Sequence, residues 1–168
     1  SSFMDPPLIA LSWKDPIHFL ANDYLFKNFF FRLLIENLNA HPVKRSNEIA
    51  SIKLVCSLLG DKKNVLIFPE GTRSENGEFL PFKKGIGVLA MRTQCAVIPT
   101  YVHGSYDILP RGSFLPRFFK RKTACVFGKP ILLEEFSNLH PKSIPDELAK
   151  RTQQEIIKLK EFYVTKCL

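Results

Sequence analysis

The chain lacks the features that mark a transmembrane protein, a metalloprotein or a repeat protein. Within its 168 residues no apolar run approaches the roughly 18 residues that a membrane-spanning helix needs. The sequence contains no internal repeat and no low-complexity segment. The chain has four cysteines, Cys56, Cys95, Cys125 and Cys167, which show no metal-ligand spacing, and the first three lie in apolar segments. We therefore expect thiols in a reducing compartment rather than disulfides.

Length and charge limit both the architecture and the partner. With 168 residues, 45% hydrophobic and 12% aromatic, the chain is long enough for one domain with a real core and too short for two ordinary ones. The formal net charge of +8 favours a polyanionic partner, which can be nucleic acid, a phosphorylated substrate or an anionic membrane surface. Moderate basicity that only aids solubility is the alternative.

The stretch Leu66–Ser74 is a short apolar run that ends abruptly in a carboxylate, a glycine, a hydroxyl and a guanidinium. This pattern predicts a buried strand that delivers polar side chains to a sheet edge. Gly71 permits a sharp turn, Thr72 supplies a hydroxyl, and Arg73 supplies a planar fork that can grip phosphate. The stretch indicates an anion pocket. An ordinary turn with a solvated ion pair between Glu70 and Arg73 is the alternative.

Predicted strands and helices alternate along the chain. Strands are predicted at 17–21, 41–45, 65–69, 96–102 and 123–127. Helices are predicted at 6–13, 24–38, 49–59, 86–94 and from 145 onward. This alternation predicts an α/β layered domain with a largely parallel central sheet flanked by helices.

Two stretches are rich in bulky apolar side chains. The first is the predicted helix at 24–38, where apolar side chains leave little polar face. This helix is either buried in the core, or it lies on a bilayer or lines an acyl-chain tunnel. The stretch Phe114–Lys122 interleaves aromatic rings with Lys and Arg, which suits the membrane interface or a nucleic acid. Phenylalanines that fold back onto the core are the alternative for this second stretch.

Four stretches, in order, resemble the motifs of the 1-acylglycerol-3-phosphate acyltransferase family. Ser1–Asp5 resembles the tail of the first motif, Ala40–Arg45 the second, Phe68–Ser74 the third and Ala96–Tyr101 the fourth. The resemblance runs from residue 1 to about residue 131, and the ordered spacing of the four motifs makes it specific. One departure is Asn39, which stands where the family often carries Gly.

In this family the first motif is a His, four residues and an Asp, so the His is expected immediately before Ser1. The chain is therefore expected to be a single acyltransferase domain over residues 1–168 that is missing its N-terminal part. By resemblance, the missing His is the catalytic base and Asp5 orients it. The resemblance also implies a set of substrate-binding residues: Arg45, Glu70, Gly71, Thr72, Arg73 and Lys83. It implies no metal and no cofactor, with acyl-CoA or acyl carrier protein as co-substrate.

The histidines within the chain are weaker candidates for a base. His41 lies in the second motif and His103 just after the fourth, so both could approach the pocket. Each is nevertheless more typical of a packed or hydrogen-bonded residue. His18 and His140 are interpreted as structural.

The resemblance implies an enzyme of phospholipid biosynthesis. It would transfer a fatty acyl group from an acyl thioester to the free hydroxyl of 1-acylglycerol 3-phosphate and so form phosphatidic acid. Its partners would be a lysophospholipid, an acyl thioester and an anionic membrane surface, with acyl carrier protein as one candidate donor and no nucleic acid. The expected location is the cytoplasmic face of a membrane. The alternative is a non-catalytic anionic-lipid-binding protein of the same fold.

Overall fold

A computed structural model of the chain describes residues 4–27, 29–44, 47–72, 79–108 and 122–167. Contacts divide the chain into two compact units, Ala10–Ile67 and Ser1–Ile9 together with Phe68–Leu168. The first helix, α1, spans Asp5–Ser12. In the part of the chain that the structure describes, no helix is both long and apolar enough to cross a membrane.

The unit Ala10–Ile67 is built on a three-stranded parallel sheet. Its strands are β1 (Ile17–Asn22), β2 (Ala40–Val43) and β3 (Asn64–Leu66), in the order β2-β1-β3. Two helices make the connections: α2 (Phe29–Asn37) and α3 (Glu48–Gly60). Because connections between parallel strands are right-handed and these two cross the sheet in opposite directions, α2 and α3 cover opposite faces. The predicted α/β fold with a parallel sheet flanked by helices is confirmed.

The core of this unit lies between β1 and α2. Phe19, Ile35 and Ala40 are buried at its centre. Partly buried apolar side chains pack around them: Ala21, Leu25, Phe26, Leu38 and Leu66. Since alternate residues of a strand face the same side, Phe19 and Ala21 together direct one face of β1 toward α2.

Capping residues explain where the helices of this unit begin. Asn22 accepts a hydrogen bond from the Tyr24 amide at 3.0 Å and starts a single 3-10 turn, after which α2 begins at Phe29. The one continuous helix predicted at 24–38 is therefore wrong in this detail. The predicted cap Asn47 is confirmed, because its side chain accepts from the Ala50 amide at 3.1 Å.

The second unit holds the remaining elements: α4 (Gly85–Thr93), β4 (Thr100–His103), α5 (Ser105–Ile108), β5 (Ala124–Phe127) and α6 (Ile144–Cys167). Strands β4 and β5 pair antiparallel, which the sequence pattern did not predict. Its core contains Ala90, Val97, Ile131, Phe136 and Leu148. Helices α4 and α6 approach closely at Gly87, where a Cβ would overlap the backbone of Pro145.

Two predicted strands are shorter than expected. The run at 96–102 makes one bridge, between Val97 and Ile131, before β4 begins at Thr100. The intervening Pro99 has no N–H to offer a ladder. The organising strand predicted at 65–69 ends as β3 at Leu66. The predicted turn at 74–77 and the stretch Phe114–Lys122 lie outside the described residues, except for Lys122 itself.

Candidate active site

The turn that follows β3 contains a glycine in a left-handed conformation. Gly71 has a φ of +70°, and its amide donates to the Phe68 carbonyl at 3.1 Å. Residues with a Cβ rarely adopt this conformation, so the sharp turn predicted at Gly71 is confirmed. Thr72 follows it and is exposed.

The ammonium of Lys83 lies against this turn. A Cβ built on Gly71 would be 2.9 Å from Lys83 Nζ and 3.0 Å from its Cε. The absence of a side chain at Gly71 thus leaves the space that the Lys83 chain occupies. Because Lys83 is exposed at this place, its positive charge is open to an anion beside the backbone of the turn.

Glu70 ties the turn to the residues that precede α4. The residue is 9% exposed, and its Oε2 accepts a hydrogen bond from the Leu80 amide at 2.9 Å. The Lys83 amide donates to the Pro69 carbonyl, also at 2.9 Å. These two bonds hold residues 79–83 beside the turn. The observed contact gives Glu70 a structural task, and its predicted contact with substrate stays a prediction.

Asp5 belongs to the same compact unit as the turn. It is the first residue of α1 and is 4% exposed. The predicted helix start is confirmed, and a carboxylate in this place is stabilised by the positive end of the helix dipole. Its predicted role in orienting a histidine stays a prediction.

The two arginines of the predicted phosphate clamp, Arg45 and Arg73, lie outside the described residues. The structure does describe Lys44 and Asn47, which are close to Arg45 in sequence and belong to the unit Ala10–Ile67. Lys44 and Asn47 help to line a cavity of about 220 Å³ next to the start of α3. The clamp itself stays a prediction.

The histidines of the chain have hydrogen-bonded partners. His18 Nδ1 and His41 Nε2 are 2.9 Å apart, with the rings stacked at 5.2 Å between centroids. Burial, followed by the nearby charges of His41 and Lys63, lowers the pKa of His18 below its usual value. His103 Nδ1 lies 3.1 Å from the Tyr101 hydroxyl. The interpretation of His41 and His103 as hydrogen-bonded residues is confirmed.

Sequence reasoning missed one residue that contacts the site from a distant helix. Gln153 of α6 accepts from the Phe82 amide at 3.5 Å and donates to the Leu80 carbonyl at 3.4 Å. It lies 71 and 73 positions further along the chain than these partners. No motif marks a glutamine on a long amphipathic helix, so only the fold brings it to the site.

Comparison with known proteins identifies the family of this chain. A family model described as Acyltransferase matches residues 1–103. The chain is 30% identical over 146 residues to the 1-acyl-sn-glycerol-3-phosphate acyltransferase of Bacillus subtilis (strain 168), covering 86% of this chain and 68% of the relative. It is 39% identical over 75 residues to the chloroplastic 1-acyl-sn-glycerol-3-phosphate acyltransferase LPAT1 of Arabidopsis thaliana, covering 43% of this chain and 21% of the relative.

A solved structure extends the similarity to almost the whole chain. The 1-acyl-sn-glycerophosphate (LPA) acyltransferase PlsC from Thermotoga maritima has a TM-score of 0.75 and 27% identity. The alignment covers 96% of this chain and 62% of that chain. The chain therefore spans about two thirds of the length of these bacterial proteins and about a fifth of the plant relative.

Proposed function

Because the chain belongs to the acyltransferase family that includes the 1-acyl-sn-glycerol-3-phosphate acyltransferases, we propose that it transfers a fatty acyl group from an acyl thioester to 1-acylglycerol 3-phosphate. The product is phosphatidic acid. Acyl-CoA or acyl carrier protein serves as the thioester co-substrate. The observation that carries the proposal is the cation held at the third motif, where the Lys83 ammonium lies beside the left-handed Gly71.

The proposed chemistry is direct transfer without a covalent acyl-enzyme. The His expected before Ser1 takes the hydroxyl proton while the oxygen attacks the thioester carbonyl carbon. The C–S bond then breaks, and the departing thiolate receives the proton from the imidazolium. Asp5 would orient the imidazole and stabilise its charged form, and the burial of Asp5 supports this role because electrostatic interactions are stronger away from water.

The acceptor phosphate is proposed to bind at the turn around Gly71. Lys83 supplies a compact positive charge, and the absence of a Cβ at Gly71 lets the Lys83 side chain lie against the backbone of the turn. Thr72 is exposed and offers a hydroxyl. Arg45 and Arg73 complete the proposed clamp, since each guanidinium can bind two phosphate oxygens at once.

Thioester-dependent acylation of lysophosphatidate by the full-length protein tests this proposal. Asp5→Asn is expected to lower kcat by about 10²- to 10⁴-fold, the contribution typical of general base catalysis. Lys83→Met is expected to raise the KM for lysophosphatidate at least about tenfold, since a hydrogen bond to a charged group is lost. Lys84→Met is the matched control, because Lys84 is exposed and makes no capping bond to α4.

Two results would contradict the proposal in different ways. Binding of lysophosphatidate without any turnover would favour the non-catalytic lipid-binding alternative. Equal effects of Lys83→Met and Lys84→Met on KM would remove the phosphate site from the turn and leave only a general charge effect.

The proposed enzyme acts at an anionic membrane surface, on the cytoplasmic face. Helix α2 supports this proposal, because Phe29 is 72% exposed and Leu33, one turn later, is 56% exposed. Lys27 is exposed nearby in sequence and brings a positive charge to the same part of the unit, whereas Arg32 pairs with Glu36 at 2.8 Å. Rings and aliphatic side chains flanked by cations suit the boundary between headgroups and acyl chains.

Flotation with lipid vesicles tests the membrane surface. Replacing Phe29 and Leu33 together by Ser is expected to reduce binding to vesicles that contain anionic lipid. Ile49→Ser is the matched control, since Ile49 is also 70% exposed but lies on α3, which covers the opposite face of the sheet. If the control lowers binding as much as the α2 variant does, α2 is not the membrane face.

A further inference from the structure

Residues 79–83, which we call the 79–83 segment, are held from two sides within their unit. On one side the segment bonds to the turn, through Leu80 to Glu70 and through Lys83 to Pro69. On the other side it contacts α6. Both backbone polar groups of Leu80 are therefore bonded, because its N–H donates to Glu70 and its carbonyl accepts from Gln153.

Gln153 acts toward the segment as a short strand partner would. Its amide accepts from Phe82 and donates to Leu80, the residues on either side of Pro81. Pro81 itself has no N–H, and Gln153 bonds to the Leu80 carbonyl and the Phe82 N–H on either side of it. A single side-chain amide thus bonds to both of them.

A second contact fixes the other end of the segment. The Phe79 ring meets the Tyr101 ring edge-on, with centroids 6.3 Å apart, and Lys160 Nζ lies 5.4 Å from the Phe79 centroid. Lys160 is seven residues after Gln153, so the two lie on the same face of α6, about 10 Å apart along its axis. The segment follows α6 from Lys160 to Gln153.

From these contacts we infer that Gln153 is a positioning residue for the acceptor site. It holds the 79–83 segment so that the Lys83 side chain stays against Gly71, where its ammonium meets the acceptor phosphate. The inference rests on the proposed function of Lys83. It assigns to α6, which lies beyond residues 1–103 matched by the acyltransferase family model, a part in substrate binding.

Gln153→Met tests this role, because methionine keeps the length and helix propensity of glutamine and removes both polar atoms. Contacts of 3.4 and 3.5 Å are longer than an average hydrogen bond, so the effect is expected to be modest. We expect the KM for lysophosphatidate to rise about three- to fivefold, with kcat and the KM for the thioester changed less than about twofold. Gln154→Met is the matched control, since Gln154 is adjacent and exposed.

A double variant separates positioning from a general loss of stability. In a Lys83→Met background, Gln153→Met should no longer raise KM, since it acts through the residue already removed. An equal rise in both backgrounds would overturn the inference. A fall in kcat together with a rise in the KM values of both substrates would also overturn it. So would the absence of any effect of Gln153→Met.

The dissociation constant of water-soluble short-chain lysophosphatidate keeps the two proposals distinguishable. If the wild-type protein binds this ligand but never turns over, the proposed reaction fails. The inference is then supported or overturned by whether Gln153→Met weakens that binding three- to fivefold or leaves it unchanged. If the wild-type protein does not bind it, the inference falls with the phosphate site.

Discussion

Replacing Gly87 by alanine is expected to destabilise the protein, although alanine favours helices. A Cβ at Gly87 would overlap the Cα and carbonyl oxygen of Pro145 and lie 2.8 Å from its carbonyl carbon. These are backbone atoms, so α4 and α6 would have to move apart. Overpacking costs about 1–3 kcal/mol and helix propensity returns about 1 kcal/mol. Because the overlap is with backbone atoms, we take the upper end of the overpacking range and expect the free energy of unfolding to fall by about 2 kcal/mol.

Gly85 provides the matched control at the start of the same helix. A Cβ at Gly85 would meet no atom within 4 Å, so Gly85→Ala is expected to be neutral or to stabilise by up to about 1 kcal/mol. Urea unfolding measures both variants, and a thermal scan should show Gly87→Ala melting about 4–8 °C lower than the wild type. Equal stabilities of the two variants would refute the close contact between α4 and α6.

Other variants probe the left-handed residues and the histidine pair. Gly71→Ala should lose about 1–2 kcal/mol from its φ of +70° and, by displacing Lys83, raise the KM for lysophosphatidate; an unchanged KM would argue against the site. Asn39, with a φ of 58°, should tolerate Gly within about 0.5 kcal/mol, whereas Ala should destabilise by about 1 kcal/mol in urea unfolding. The lowered pKa of His18 contributes stability that is present above its unfolded pKa of about 6.5 and is lost as pH falls through its folded pKa. His18→Gln should flatten the fall in urea midpoint as pH drops below about 6.5.

The spacing of apolar residues predicted most of the strands and helices. An element with one buried face has an apolar residue at every second position in a strand and at every third or fourth position in a helix. The spacing could not reveal the break between Phe26 and Phe29, since apolar residues recur at helical spacing on both sides of Lys27 and Asn28. It also could not give strand direction, so the antiparallel pairing of β4 with β5 was missed. The family departure at Asn39 has a physical reason in the structure, because Asn is among the few residues besides Gly that adopt a positive φ readily.

The sequence predicted those parts of the candidate site that lie within short motifs. The turn at Gly71 and a basic residue at Lys83 are visible in the sequence because each belongs to a short motif. The bond that the Leu80 amide donates to Glu70, and the two bonds that Gln153 makes to the 79–83 segment, depend on how loops and α6 pack. Long-range contacts of this kind leave no periodic signal, so they appear only once the chain is folded.

The division of the chain into two units has a consequence for the order of events during synthesis. β1 is the central strand of its sheet, and its partners β2 and β3 follow within Ala10–Ile67, so that sheet can form early. Residues Ser1–Ile9 are made before this sheet but belong with Phe68–Leu168. Asp5 must therefore wait for the last part of the chain while a long loop closes, at an entropic cost that grows only slowly with loop length. The unit that contains Asp5 and the turn around Gly71 can therefore form only after the residues of the parallel sheet have been made.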